Sequence, residues 1–99
     1  MKKSYLTIVA KIEVAEKDRE FMLSELMELV SISKTEKGNI DYILHSDNEN
    51  PNQFFMLEKW STIESLESHT QTKHFIHFKK VTEGKLKEFV VHKMTEIIN

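Results

Sequence analysis

The chain changes hydrophobic period several times, and each change marks a boundary between predicted elements. From Tyr5 to Val14 the period is two. Leu6, Ile8, Ala10 and Ile12 share one face and Thr7, Val9, Lys11 and Glu13 the other, which predicts a strand. From about Lys17 to Thr35 the period lengthens. Met22, Leu26, Leu29 and Val30, widened by Leu23 and Met27, form an apolar stripe opposite Ser24, Glu28, Ser31 and Thr35, as in an amphipathic helix. Lys34 and Lys37 suit its negative end, and Gly38 is placed to terminate it. Asn39 to Ser46 alternates again, with Ile40, Tyr42 and Leu44 against Asp41, Ile43 and His45. The polar run Asp47-Asn48-Glu49-Asn50-Pro51-Asn52 holds the only proline and reads as a loop. Gln53 to Trp60 is aromatic and apolar, a third strand that closes an antiparallel hairpin.

Ser61 and Glu64 have the spacing of a capping box, so a short helix is expected through about Ser68. His74 to Val81 resumes the helical pattern, and Gly84 is placed to stop it. Lys87 to Ile98 reads as a closing strand, with Phe89 and Val91 on one face and Val90, His92 and Met94 on the other. The order β-α-β-β-α-β, with the second helix in two pieces, predicts a single α+β domain over residues 1–99 with the ferredoxin-like, split βαβ topology. Two helices cover one face of a four-stranded sheet. The other face also carries apolar residues, so a homodimer is expected to bury it. A chain of 99 residues has a thin core of its own, which makes such a partner useful.

A formal net charge of −2 argues against nucleic acid or an anionic membrane as partner. The third strand has the aromatics of an RNA-binding sheet but neither its glycine nor its positive charge. With no cysteine, disulfides, thiolate zinc sites and thiol nucleophiles are absent together. No run approaches the roughly 18 apolar residues of a membrane helix. The basic start Met1-Lys2-Lys3-Ser4 leads into a stretch interrupted by Lys11 and Glu13, so no signal peptide is read and a cytoplasmic location is expected.

The chemistry-bearing stretch runs from Glu58 to Phe75. Glu58 and Trp60 are two apart on a strand and point to one face, so a carboxylate and an indole N–H can enter one pocket. His69, His74 and His77 follow, and histidine is the natural base near neutral pH. His74 and His77 could share a helical face with Phe78 and Val81. They have the spacing to bracket an ion, but the sequence assures them no nearby carboxylate or third histidine, so no metal is expected. Each residue has a plainer role as well. Trp60 fits a core position, His69 a helix cap, His74 the break between two helices, and Glu58 a surface or dimer-interface ion pair. Asn39 and Tyr42 can set the start and packing of their strand, and His45, His77 and His92 fit surface positions.

The stretch closely resembles the signature of the antibiotic biosynthesis monooxygenase family, in which a strand ending Glu-x-Trp leads into a helix carrying Leu-x-x-His and then a second His followed by Phe or Met. Glu58, Trp60, Leu66, His69, His74 and Phe75 fall in that register. Gly38 and Tyr42 match the family's Gly-x-x-x-Tyr. Leu66, Glu67, His69, Gln71, Thr72 and His74 are similar to a run in small bacterial quinol monooxygenases. The resemblance implies a dimeric α/β barrel with a pocket between sheet and helices. It also implies oxygenation of a quinol or polycyclic phenol without metal, flavin or other cofactor, from a site using His69, Trp60 and His74 for catalysis and Glu58, Tyr42, Asn39 and Phe78 for the substrate. Lys79 stands where haem-degrading relatives carry a histidine, which counts against haem, and Lys73 precedes His74 where relatives often carry proline. An isomerase on the same scaffold and a non-catalytic dimer that binds a small molecule stay open as alternatives.

Overall fold

A computed structural model describes all 99 residues. Strand β1 (Leu6–Val14) leads through a single 3-10 turn (Glu16–Asp18) into helix α1 (Arg19–Ser33). Strands β2 (Asn39–Ser46) and β3 (Gln53–Trp60) form the hairpin. Helices α2 (Ile63–Thr70) and α3 (Lys73–Val81) follow, and β4 (Leu86–Met94) closes the chain. The sheet is antiparallel throughout, in the order β2-β3-β1-β4, so the ferredoxin-like α+β fold stands.

Burial follows the alternation of the strands. Ile8, Ala10, Ile12 and Val14 of β1 are buried, and so are Phe54, Met56, Glu58 and Trp60 of β3. Each turns the same face towards the helices. Helix α1 returns Met22, Leu26, Leu29 and Ser33, at spacings of four, three and four. Leu23 and Met27, expected to widen that stripe, stay 37% and 59% exposed, because each sits about 100° around the helix from its buried neighbour. On edge strand β4, Phe89 and Val91 lie opposite Ile12 and Ala10 yet remain 41% and 43% exposed. The helix side of the sheet is therefore only partly roofed, and a cavity survives beneath α2 and α3.

Three boundaries differ from the sequence reading, each for a local reason. The capping box belongs to Thr62 and Ser65 rather than Ser61 and Glu64. Ser65 N donates to Thr62 Oγ1 at 3.0 Å and Thr62 N to Ser65 Oγ at 3.2 Å, while Ser61 N is engaged by the Gly38 carbonyl at 2.8 Å. Strand β4 ends at Met94, short of Ile98, and only the Lys2–Ile97 bridge continues the pairing. Gly38 does not terminate α1, which already ends at Ser33. It takes φ of +89° just before β2, and a Cβ there would lie 2.4 Å from Ser65 Cβ. A Gly38→Ala protein therefore meets both backbone strain and a side-chain clash, and should lose roughly 2–4 kcal/mol in urea unfolding. A change under about 0.5 kcal/mol would show that α2 yields freely at this contact.

No helix is long and apolar enough to cross a membrane.

Candidate active site

A cavity of about 570 Å³ lies between the sheet and the helices. Ile8, Ala10 and Ile12 of β1, Met56 of β3, Leu26 and Leu29 of α1, and Phe75 and Phe78 of α3 make most of its wall apolar. Set into that wall are Tyr42 from β2, Glu58 from β3 and His69 from α2, with Lys93 of β4. Few polar groups in an apolar hollow is the usual composition of a small-molecule site.

The break between α2 and α3 places His69. Thr72 Oγ1 donates to the His69 carbonyl at 2.8 Å and accepts from Phe75 N at 3.3 Å, tying the end of one helix to the start of the next. The cap is thus Thr72, and the His69 ring is free to turn inward, 2% exposed. Its Nδ1 lies 2.7 Å from Glu36 Oε2, and its Nε2 3.2 Å from the Tyr42 hydroxyl. A carboxylate oxygen only accepts, so Nδ1 carries the proton, and Nε2 is left as the acceptor for the Tyr42 O–H. The rings of Trp60 and Phe75 hold the imidazole with centroids 4.8 Å and 4.9 Å away.

Glu36 sits in the segment between α1 and β2, and no motif marks it. It accepts from both His69 Nδ1 and His74 Nε2, the latter at 2.6 Å. His74 thus pairs with Glu36, while His77 points away, exposed, 3.9 Å from Glu25. Glu36, His69 and His74 offer three ligand atoms within 4.8 Å of one another, which the His74–His77 spacing did not foresee. Nitrogen to oxygen separations of 2.6 and 2.7 Å are hydrogen-bond distances. Ligands around a tetrahedral zinc stand about 3.3 Å apart, as its bond lengths of ~2.0–2.1 Å require. The cluster as built is a shared carboxylate acceptor.

Trp60 is fully buried behind the cavity and donates from Nε1 to Glu58 Oε1 at 2.9 Å. It positions the carboxyl group and does not line the cavity, and His74 likewise stands behind His69. Phe78 is buried and lines the cavity. Asn39 is not brought to the site. Its side chain donates to the Asp41 carbonyl at 3.0 Å, bracing the irregular register between Asn39 and Asp41.

Burial sets the proton affinities. The His69 pKa is lowered from 6.5, first by desolvation, against the Glu36 hydrogen bond that raises it. Burial lifts Glu58 from 4.5 to about 7, the Trp60 bond opposing and the Glu36 charge adding to the rise. Tyr42 is pushed well above its ordinary 10 by burial and then by Glu58. At neutral pH the site therefore holds a neutral imidazole, a neutral phenol and a carboxyl group close to half-protonated.

Residues 5–81 match the family described as antibiotic biosynthesis monooxygenase. The chain is 39% identical over 80 residues to "Putative monooxygenase YcnE" of Bacillus subtilis (strain 168), spanning 81% of this chain and 82% of that one. Among solved structures, PA3566 from Pseudomonas aeruginosa is similar at 31% identity with a TM-score of 0.92, over 97% of both chains. Protein SO0527 from Shewanella oneidensis shares the fold at 22% identity and a TM-score of 0.93, over 100% of this chain and 98% of its own.

Proposed function

The chain belongs to the antibiotic biosynthesis monooxygenase family, and from that premise we propose that it oxygenates a quinol or polycyclic phenol in this cavity, with dioxygen as the only co-substrate. The observation that carries the reading is the Tyr42–His69–Glu36 chain in the wall of an apolar cavity. A phenol reduces oxygen readily only as its anion. His69 Nε2 takes the phenolic proton, either directly once Tyr42 turns aside or through the Tyr42 hydroxyl in one concerted shift. Tyr42 passes the proton without ionising, because burial disfavours its anion. Glu36 stabilises the imidazolium that forms. In a dry cavity the phenolate is poorly solvated and passes an electron to oxygen, and the radical pair combines to a carbon-bound peroxide. The substrate supplies the electrons, so the chemistry asks for no metal or flavin. The test is oxygen uptake by chelator-treated protein over hydroquinones and hydroxylated polycyclic aromatics, against an autoxidation blank. Enzyme-dependent uptake that drops in a His69→Ala protein supports the reading. Turnover without oxygen consumption would favour an isomerase, and binding without turnover a non-catalytic dimer.

A homodimer belongs to the same proposal. On the face away from the helices, Ile43, Leu57 and Val9 lie side by side across β2, β3 and β1, with Ile43 and Leu57 45% and 37% exposed and Met94 of β4 42% exposed. Packing this face against a second copy closes the barrel. Leu57→Glu puts a charge in the middle of that row. It should convert a dimer of the wild type to monomer in light scattering; a monomeric wild type would end the dimer proposal.

A further inference from the structure

Glu58 takes no part in the steps above, yet it is the one acidic side chain of the sheet wall that is withdrawn from water, 6% exposed. Its carboxyl group accepts from the Trp60 indole, and no basic side chain is within ion-pair distance. The groups that face it are few. Tyr42 lies directly across from it on β2 and Ile8 on β1, and Lys93 on β4 stands beyond Ile8. The charge of Glu36 in the α1–β2 segment reaches it, and His69 of α2 lines the same cavity. A carboxyl group held by one neutral donor, without a cation, in an apolar wall is built to keep and exchange a proton rather than to pair a charge.

The carbon-bound peroxide needs such a group. Resting on the monooxygenase reading, we propose that Glu58 is the second acid–base residue of the site, protonating the peroxide and then taking the proton of the ring carbon. The phenolic proton goes to His69. The peroxide anion takes the Glu58 proton and becomes a hydroperoxide. The ring C–H bond then breaks, its proton passing to the Glu58 carboxylate, while its electron pair forms the second C=O and the O–O bond breaks. The departing hydroxide takes the proton held by His69 and leaves as water. One oxygen atom enters the quinone, the other enters water, and both side chains return to their starting states. The sheet wall and the helix wall thus divide the two proton transfers between them.

The test compares the wild type with Glu58→Gln, which keeps an oxygen for the Trp60 N–H. Oxygen uptake and quinone formation are followed with a dihydroxyanthrone, protonated or deuterated at the oxidised carbon. Infrared difference spectra of the ligand-free proteins follow the carboxylic acid C=O band with pH. Expected are an acid band in the wild type at neutral pH that is missing from the variant, a fall in kcat of about 100-fold, KM within about twofold, and a larger deuterium isotope effect in the variant. A variant within about threefold of the wild type, with an unchanged isotope effect, overturns the role. So does a Glu58 band that vanishes in the ordinary carboxylate range, whatever the turnover. A wild type that keeps the acid band but consumes no oxygen on any compound overturns the monooxygenase reading, and the acid–base role falls with it.

Discussion

Replacing His69 by alanine should lower kcat for phenol oxidation by about a thousandfold, the usual loss when a positioned base is removed. The imidazole supplies the one acceptor nitrogen of the cavity wall, since Glu36 occupies Nδ1 and leaves Nε2 to the Tyr42 hydroxyl. Burial lowers its pKa from 6.5, so the base is unprotonated throughout the neutral range. On the acid side the wild-type kcat should accordingly hold down to 6.5 and fall only below it, where the imidazole gains a proton. Glu36→Gln removes the anion that stabilises the imidazolium and should lower kcat by about tenfold, moving the acid limb further down. Steady-state kinetics across pH, with circular dichroism to confirm folding, checks all three. A His69→Ala protein that keeps more than about a tenth of the wild-type kcat would move the base elsewhere in the cavity.

Stability against pH carries the second large effect, and it needs no substrate. Unfolded, Glu58 ionises near its ordinary 4.5; folded, it keeps its proton to about 7. Between those values the folded state binds the extra proton, so stability falls as pH rises. The loss begins near 4.5 and is complete just above 7, amounting to about 3 kcal/mol. Glutamine does not titrate. The stability of Glu58→Gln relative to the wild type should therefore improve by about 3 kcal/mol between pH 4.5 and 8, measured by urea unfolding at each pH. Taking the difference between the two proteins removes the opposite trend from His69, whose lowered pKa makes the fold more stable as pH rises towards neutrality. A flat difference would mean that water reaches the carboxyl group and solvates its anion.

The strands were legible because their signal is local. A period of two in Leu6-Thr7-Ile8-Val9-Ala10 says which side chains share a face before anything is known of the neighbouring strands. That same rule placed Glu58 and Trp60 together, and they are indeed hydrogen-bonded. Boundaries were less legible, because several residues qualify as caps and tertiary contacts choose among them. Ser61 and Thr62 both suit a helix start, and the Gly38 carbonyl decides by engaging Ser61 N. Leu23 and Met27 fit a widened apolar stripe equally well, and only the width of the surface that α1 meets leaves them outside.

The site was legible in its motif residues and silent in its partner. Glu36 lies 33 positions before His69 and 38 before His74, in a segment whose sequence is that of any polar turn. It meets the two histidines only because the fold returns α2 and α3 over the end of α1. Asn39, by contrast, was a substrate residue only by family resemblance, and its side chain braces the irregular register at the start of β2 by bonding to the Asp41 carbonyl. The amino-acid sequence by itself determined the element order, the faces of the strands and the residues able to exchange protons, since each depends on neighbours a few positions away. The tertiary structure alone decided which of those residues meet, which nitrogen of His69 is the acceptor, and which carboxyl group loses water, because distance and dielectric are properties of the packed chain.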